Sequence, residues 1–224
     1  MSQSLIFASL SLFLYLIGFI PYIYHVFHGR VVPHPFTWTV WFIFAVTNAY
    51  ILFQVNGWNW SLAPLWMRII ALIIGLACGW WFIRKIHLSS FDYISLLLAA
   101  GAILFIHLYG LRQAIIAMIC VDIIVTLPTL KKIWLDPHTE DSLAWFTTAL
   151  SQGCLLMSLP FLTFENSFFW FYAICANLSV WFFIRLQTIY RNNTLIGRLD
   201  QYFYFLKLQK EKYSDVFFAL KNKL

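Results

Sequence analysis

Seven long apolar segments run along the chain, separated by short polar connections, at residues 4–27, 36–55, 61–83, 93–109, 112–130, 142–162 and 167–189. A helix needs about 20 apolar residues to cross the hydrocarbon core of a bilayer. Because lipid offers no hydrogen bonds, an apolar segment of this length satisfies its backbone only as a helix. The pattern therefore predicts an all-α integral membrane protein with seven transmembrane helices.

A different pattern occupies the tail, residues 190–224, where leucine and aromatic residues recur at helical spacing between lysines. This pattern is typical of an amphipathic helix that lies on the cytoplasmic membrane surface. A helix that packs on the cytoplasmic ends of the bundle fits equally well, so both interpretations stay open.

Composition and charge support this class and set an orientation. Of the 224 residues, 62% are hydrophobic and only 11% are charged, whereas about a quarter of a soluble domain is charged. Lys and Arg occur in every second connection between the spans and in the tail, namely in 28–35, 84–92, 131–141 and 190–224. The other connections contain none, and only Arg68 and Arg112 lie near them. The positive-inside rule places the N-terminus outside and the C-terminus in the cytoplasm, so the net charge of +6 reflects topology and no nucleic-acid partner is expected.

The chain repeats itself. A shift of 107 residues carries the first two predicted spans onto the fifth and sixth, so that Pro21 meets Pro128 and Trp38 meets Trp145. A shift of 101 carries the third span onto the seventh, where Trp80 meets Trp181. Because three spans cross the membrane an odd number of times, a linker span is needed to keep two such units parallel. We therefore predict a 3+1+3 plan of triple-helix bundles, with units 1–86 and 111–189 joined by a linker helix, 87–110.

The seven spans, with a proline near the cytoplasmic end of the first and the fifth, resemble the SWEET and PQ-loop superfamily, in which PnuC-type vitamin carriers have a comparable plan. The segments PHPFTWTVW (33–41) and DIIVTLPTLKKIWLDPHTEDSLAW (122–145) are similar to uncharacterised bacterial seven-helix membrane proteins of that fold. The resemblance implies parallel repeats, solute transport and a location in the bacterial inner (plasma) membrane. Proton-coupled PQ-loop exporters also carry a carboxylate on their fifth helix, which corresponds here to Asp122.

Asp122 is the most informative polar residue in the spans. It lies nine residues from Lys131 and ten from Arg112, which is about 13–15 Å from either end of its helix and hence near the bilayer midplane. A carboxylate at that depth costs about 2.5–3.5 kcal/mol on insertion scales, and such residues usually mark an ion or substrate path. We expect Asp122 to carry a proton or to bind a cationic group. A protonated carboxyl that only joins two helices stays an alternative.

Other residues complete the predicted site. Asn177 and Trp181 lie one turn apart on the seventh span, and SWEET carriers use Asn and Trp from their third and seventh helices in a similar way; Trp80 is the matching Trp of the third span. Asn48 and Gln152 are further candidates to contact a solute. Pro21 and Pro128 each remove a backbone hydrogen bond and are predicted gating hinges, with a static kink as the alternative.

The remaining tryptophans and histidines have simpler interpretations. Trp38 and Trp145 near the cytoplasmic face suit an aromatic belt and helix packing, and an outer belt is predicted from Trp58, Trp60, Trp66 and Trp170. His25, His28 and His34 favour interfacial contacts over a metal site. Asp136 could pair with Lys131 or Lys132, whereas Glu140 and Asp141 suit the start of a helix.

No HExxH, GxSxG, P-loop or GxGxxG motif is present, so neither an enzyme nor a cofactor is expected. The sequence favours a secondary transporter or facilitator of a small polar solute such as a sugar, a nucleoside-like vitamin or an amino acid. It would work by alternating access between the two bundles, with proton coupling through Asp122. A non-transporting membrane receptor or a partner-binding protein of the same fold stays the alternative, and homo-oligomerisation stays open.

Overall fold

The computed structural model describes residues 3–31, 33, 35–56, 63–81, 90, 93, 94, 97, 98, 101 and 109–193. The α-helices that these residues describe from end to end are α1 (Gln3–Phe27), α2 (Pro35–Asn56), α3 (Ala63–Trp81), α4 (Leu111–Leu135), α5 (Ser142–Ser158) and α6 (Phe164–Asn193), with a 3₁₀ turn at Pro137–Thr139. The all-α prediction is confirmed, and the six helices match six of the predicted spans to within a few residues. The predicted linker helix falls largely outside the described residues, and the tail beyond Asn193 falls wholly outside them.

Three of these helices, α1, α4 and α6, are long and apolar enough to cross a membrane, with 25, 25 and 30 residues and mean hydropathies of 2.1, 2.0 and 1.6. Large apolar side chains also point outward from them, including Phe13, Ile20 and Phe27 on α1, which are more than half exposed. Exposed apolar surface on this scale is unfavourable in water and favourable in lipid. Helix length and exposed surface together support a membrane protein.

The helices form two groups of three with the same internal order. In the first group, α3 contacts both α1 and α2, and in the second group α6 contacts both α4 and α5. Between the groups, α1 packs on α5 while α2 packs on α4 and α6. The last helix of each group therefore lies against its two partners, and the first two helices of each group make most of the contacts to the other group.

The contact between α1 and α5, hereafter the α1–α5 seam, is the most extensive in the structure and is built from small residues. Ser11 Oγ donates to the Ser151 carbonyl at 2.7 Å, and Ser151 Oγ donates to the Ser11 carbonyl at 2.6 Å. Further along the seam, a Cβ added at Gly18 would clash with Thr147 Oγ1 and lie 3.0 Å from Ala144 Cα. Small residues let helix backbones approach closely in a membrane, and reciprocal serine bonds then join them directly.

The contact between α2 and α4 occupies the matching place in the other half of the bundle but has different side chains. It is an apolar cluster of Val40 and Phe44 from α2 with Met118, Val121 and Val125 from α4. A shift of 107 residues relates the two contacts, because Ser11, Gly18, Thr147 and Ser151 fall on Met118, Val125, Val40 and Phe44. One side of the bundle is therefore a close, hydrogen-bonded seam, and the other is held by bulky apolar side chains.

We expect Gly18→Ala to lower the free energy of unfolding by about 1–3 kcal/mol, because the added methyl group overpacks the α1–α5 seam. Thermal and denaturant unfolding of the detergent-solubilised protein would measure the loss. Gly153→Ala is the matched control, since a Cβ added at that α5 residue meets nothing within 4 Å. Equal stability of the two variants would contradict a close approach of α1 and α5 at Gly18.

Candidate functional site

A cavity of about 320 Å³ lies between the two groups of helices, and every one of the six described helices contributes to its lining. This volume falls at the lower end of the range for small-molecule sites, about 300–1,000 Å³. Most of the lining is apolar and aromatic, and a few polar side chains project into it from both groups. Such a composition, with few polar groups on an apolar wall, is typical of a binding site for a small solute.

The lining follows the internal repeat. Eight pairs of lining residues are separated by 107 positions: Tyr15 and Asp122, Phe19 and Thr126, Tyr22 and Thr129, Pro33 and Glu140, Thr37 and Ala144, Trp38 and Trp145, Trp41 and Thr148, Ala45 and Gln152. Two further pairs are separated by 101 positions: Arg68 and Phe169, Leu72 and Ala173. Matching positions of the two groups thus face the same cavity. Its chemistry is nevertheless asymmetric. Arg68 corresponds to Phe169 under the shift of 101, and Asp122 corresponds to Tyr15 under the shift of 107, so each charged residue is matched by an aromatic one.

Asp122 lies near the middle of α4 and lines the cavity, where two neutral donors hold its carboxylate. Trp41 Nε1 donates to Oδ1 at 3.0 Å from α2, and Tyr172 OH donates to Oδ2 at 2.9 Å from α6. One donor belongs to each group of helices. Any movement of one group against the other must therefore stretch or exchange the Trp41 bond.

Arg68 is the site residue that sequence reasoning missed. Its position near one end of a span suggested an interfacial residue, but the side chain is only 5% exposed and lines the cavity. Its Nη2 donates to Ser151 Oγ at 2.6 Å and to Ser11 Oγ at 3.3 Å. Asp122 is therefore not the single buried charge of the bundle. The signal available in the sequence was an arginine inside an apolar helix, which has to find buried partners.

Four of the amides and prolines predicted for the site line the cavity, namely Asn48, Pro128, Gln152 and Asn177. Asn177 Nδ2 donates to Gln152 Oε1 at 3.2 Å and to the Ala173 carbonyl at 2.7 Å, so the amides of α5 and α6 are linked. Asn48 Nδ2 donates to the Phe44 carbonyl at 2.9 Å on its own helix. Pro128 also lines the cavity.

The structure places three other predicted site residues away from the lining. The ring of Trp181 lies against Phe146, with ring centroids 5.0 Å apart. Trp80 is 46% exposed on α3, and Pro21 sits within α1 without reaching the cavity. Trp181 lies four residues beyond Asn177 and is therefore rotated about 40° further around α6, to the edge of the face that lines the cavity, where its ring meets Phe146 of α5.

Aromatic side chains assigned to membrane belts instead form part of the cavity wall. Trp38 and Trp145 line the cavity, and the Trp41 ring lies between them at centroid distances of 5.8 and 5.6 Å. Trp170 is also buried in the lining, so its assignment to the outer belt is wrong. A Cβ at Gly75 would clash with the Trp38 ring, so glycine is what allows α3 to approach that indole. Trp58 and Trp60 lie outside the described residues, as does the side chain of Trp66.

A contact between His25 and Asp141 joins the two groups of helices where α1 ends and α5 begins, and further polar contacts lie within the second group. Asp141 caps α5 as predicted, accepting from the Leu143 and Ala144 amides, and its second oxygen lies 2.8 Å from His25 Nδ1 of α1. Lys132 of α4 pairs with Glu140 at 2.8 Å. Asp136 accepts from the His138 amide in the 3₁₀ turn. Within the described part of the chain, no three His, Cys, Asp or Glu side chains form a group able to hold a metal, and His34 lies outside it.

We expect Ser151→Ala to lower the free energy of unfolding by about 1–3 kcal/mol, because it removes the nearer acceptor of the buried Arg68 Nη2 and breaks a bond of the α1–α5 seam. Chemical denaturation in detergent would measure the change. Ser179→Ala is the matched control, since that exposed serine bonds only within α6, to the Cys175 carbonyl. A Ser151→Ala protein as stable as the control would contradict the hydrogen bonds assigned to Ser151.

No family model matches this chain, and neither a curated protein nor a solved structure matches it significantly. The relation to the SWEET and PQ-loop superfamily therefore stays a prediction from the motifs.

Proposed function

We propose that this protein is a secondary transporter or facilitator of a small polar solute, embedded in a membrane as seven helices in a 3+1+3 arrangement. The observation that carries the proposal is the cavity between the two groups of helices. Polar side chains reach it from both groups, with Asn48 and Arg68 on one side and Asp122, Gln152 and Asn177 on the other. A solute held between two repeats is the arrangement from which alternating access operates.

The two contacts between the groups suggest how access alternates. The α1–α5 seam is close and hydrogen-bonded, so it is the natural axis about which one group rocks. The α2–α4 contact is mostly apolar, and its side chains slide past one another once the hydrogen bond from Trp41 to Asp122 is exchanged. Trp41, Asp122 and the His25–Asp141 pair then link the groups at different depths and exchange partners as the cavity opens.

Asp122 is the proposed coupling residue. Among the described residues its carboxylate has neutral donors alone, whereas the Glu140 carboxylate, which also accepts from Trp145 Nε1, is paired with Lys132. A carboxyl group in a low-dielectric cavity has a strong tendency to take up a proton when its hydrogen bonds change. Binding of solute near Trp41 would alter one of those bonds and so link proton movement to solute movement.

We expect solute uptake by proteoliposomes of the full chain to be accompanied by proton entry, reported by a pH dye in the lumen. The solutes to supply are sugars, nucleosides and amino acids. Asp122→Asn, which cannot take up the proton, should bind the transported solute but fail to acidify the lumen. The control is Asp136→Asn, an acid-to-amide change outside the cavity that keeps a capping oxygen for His138 and should behave as wild type. Binding without flux of any solute would overturn the proposal in favour of a membrane receptor.

We also expect Pro128→Ala to slow transport severalfold with little change in solute affinity. Alanine restores the backbone hydrogen bond that proline omits and so stiffens α4 beside the cavity. Comparison of maximal uptake rate with binding affinity separates the two effects. Unchanged rates would show that the proline is a static feature of α4.

A further inference from the structure

Arg68 is a buried positive charge with no carboxylate partner among the residues that the structure describes. The ion pairs in the described part of the chain are His25–Asp141, Arg112–Glu165 and Lys132–Glu140, and none of them includes Arg68. Its two hydrogen-bond acceptors are the neutral hydroxyls of Ser11 and Ser151. Burying an ion without a counter-ion is strongly unfavourable, so an anion that enters the cavity would relieve a cost already present in the folded protein.

The Arg68 guanidinium also has an N–H group that donates to no acceptor among the described residues. Both of its bonds to serine leave from Nη2, and the buried Nε has no acceptor among the residues that the structure describes. A guanidinium has five N–H donors in a planar fork. That fork matches the two oxygens of a carboxylate, which is why arginine is the usual residue for such groups.

Aromatic rings hold this fork in a fixed orientation. The Arg68 guanidinium carbon lies 5.4 Å from the centroid of the Tyr15 ring and 5.3 Å from that of Trp170. Rings placed over a guanidinium stabilise its charge and restrict its rotation. A donor whose orientation is already restricted loses less entropy when it binds a ligand.

The rest of the cavity indicates what the anion is attached to. Trp41, Phe44 and Phe169 line it, and they suit a flat apolar body better than a densely hydroxylated one. Asp122, in the same lining, disfavours a second negative charge on the ligand. We propose that the cavity binds an aromatic monocarboxylate, with its carboxylate on Arg68 and its ring against these aromatic side chains. Binding of this ligand does not require transport. Only its identification as the transported solute rests on the proposed transporter function.

The competing interpretation is that Arg68 has only a structural role, in which its hydrogen bonds to Ser11 and Ser151 join α3 to α1 and α5. Acid–amide pairs distinguish the two, because a purely structural arginine cannot discriminate between ligands of the same shape. The probes are benzoate with benzamide and L-tryptophan with L-tryptophanamide. Binding to the full chain in detergent would be measured by calorimetric titration, for wild type, Arg68→Gln, Arg68→Lys and Arg112→Gln. The last is the matched control, an arginine whose side chain is 62% exposed and paired with Glu165.

We expect at least one acid to bind wild type and Arg112→Gln, and its amide to bind at least about tenfold more weakly. Arg68→Gln should bind the acid about ten- to hundredfold more weakly than wild type. Arg68→Lys keeps the charge but not the planar fork of donors, so its affinity should lie between those of wild type and Arg68→Gln. If Arg68→Gln does not fold, the ratio of acid to amide affinity in the wild type still tests the proposal. Equal binding of acid and amide, no binding of either acid, or full affinity in Arg68→Gln would each overturn the proposal.

This outcome is separable from that of the transport proposal. Acid-selective binding without uptake by proteoliposomes would leave the carboxylate site standing and remove the transporter function. Uptake of a neutral solute, with no preference for acids and no effect of Arg68→Gln, would support the transporter function and remove the carboxylate site.

Discussion

Small side chains let α1 and α5 come close enough for the hydroxyls of Ser11 and Ser151 to bond each other's helix backbone, and the site is arranged around that contact. The same two hydroxyls accept from the Arg68 guanidinium, so the seam also positions the buried cation. A larger residue at Gly18 would separate the helices and with them the two groups. The close approach is therefore a requirement for both the shape of the cavity and its charge.

A cavity placed between two similar groups acquires its chemistry where the groups differ. Tyr15 and Asp122 occupy matching positions, as do Phe169 and Arg68, so each group supplies one charge where the other supplies a ring. The rings are not inert replacements, because Tyr15 lies over the Arg68 guanidinium. The cavity is therefore polarised, because its buried cation, Arg68, and its mid-helix carboxylate, Asp122, come from different groups of helices.

Helix positions, the carboxylate in mid-helix and the amides of α2, α5 and α6 could be predicted from the sequence, because apolar length and rare intramembrane polar residues are local signals. The orientation of Trp181 and Trp80 could not, since an i, i+4 step rotates a side chain by about 40° around a helix, and tertiary packing decides whether a ring at the edge of a face meets the cavity. Arg68 was overlooked because its position near a helix end did not show how far its long side chain reaches, nor that Ser11 and Ser151, 140 residues apart, would meet it. These depend on tertiary contacts that no local pattern encodes.

The most direct test of a cavity with alternating access is the labelling of one lining position from each side of the membrane. Thr148→Cys, in a protein whose Cys78, Cys120, Cys154 and Cys175 are replaced by alanine, would be exposed to a membrane-impermeant thiol reagent in oriented proteoliposomes. Phe182→Cys, at a largely exposed α6 position facing away from the cavity, is the control and should react from neither side. Alternating access predicts that Thr148→Cys reacts from both sides. Reaction from one side only, or from neither, would contradict it.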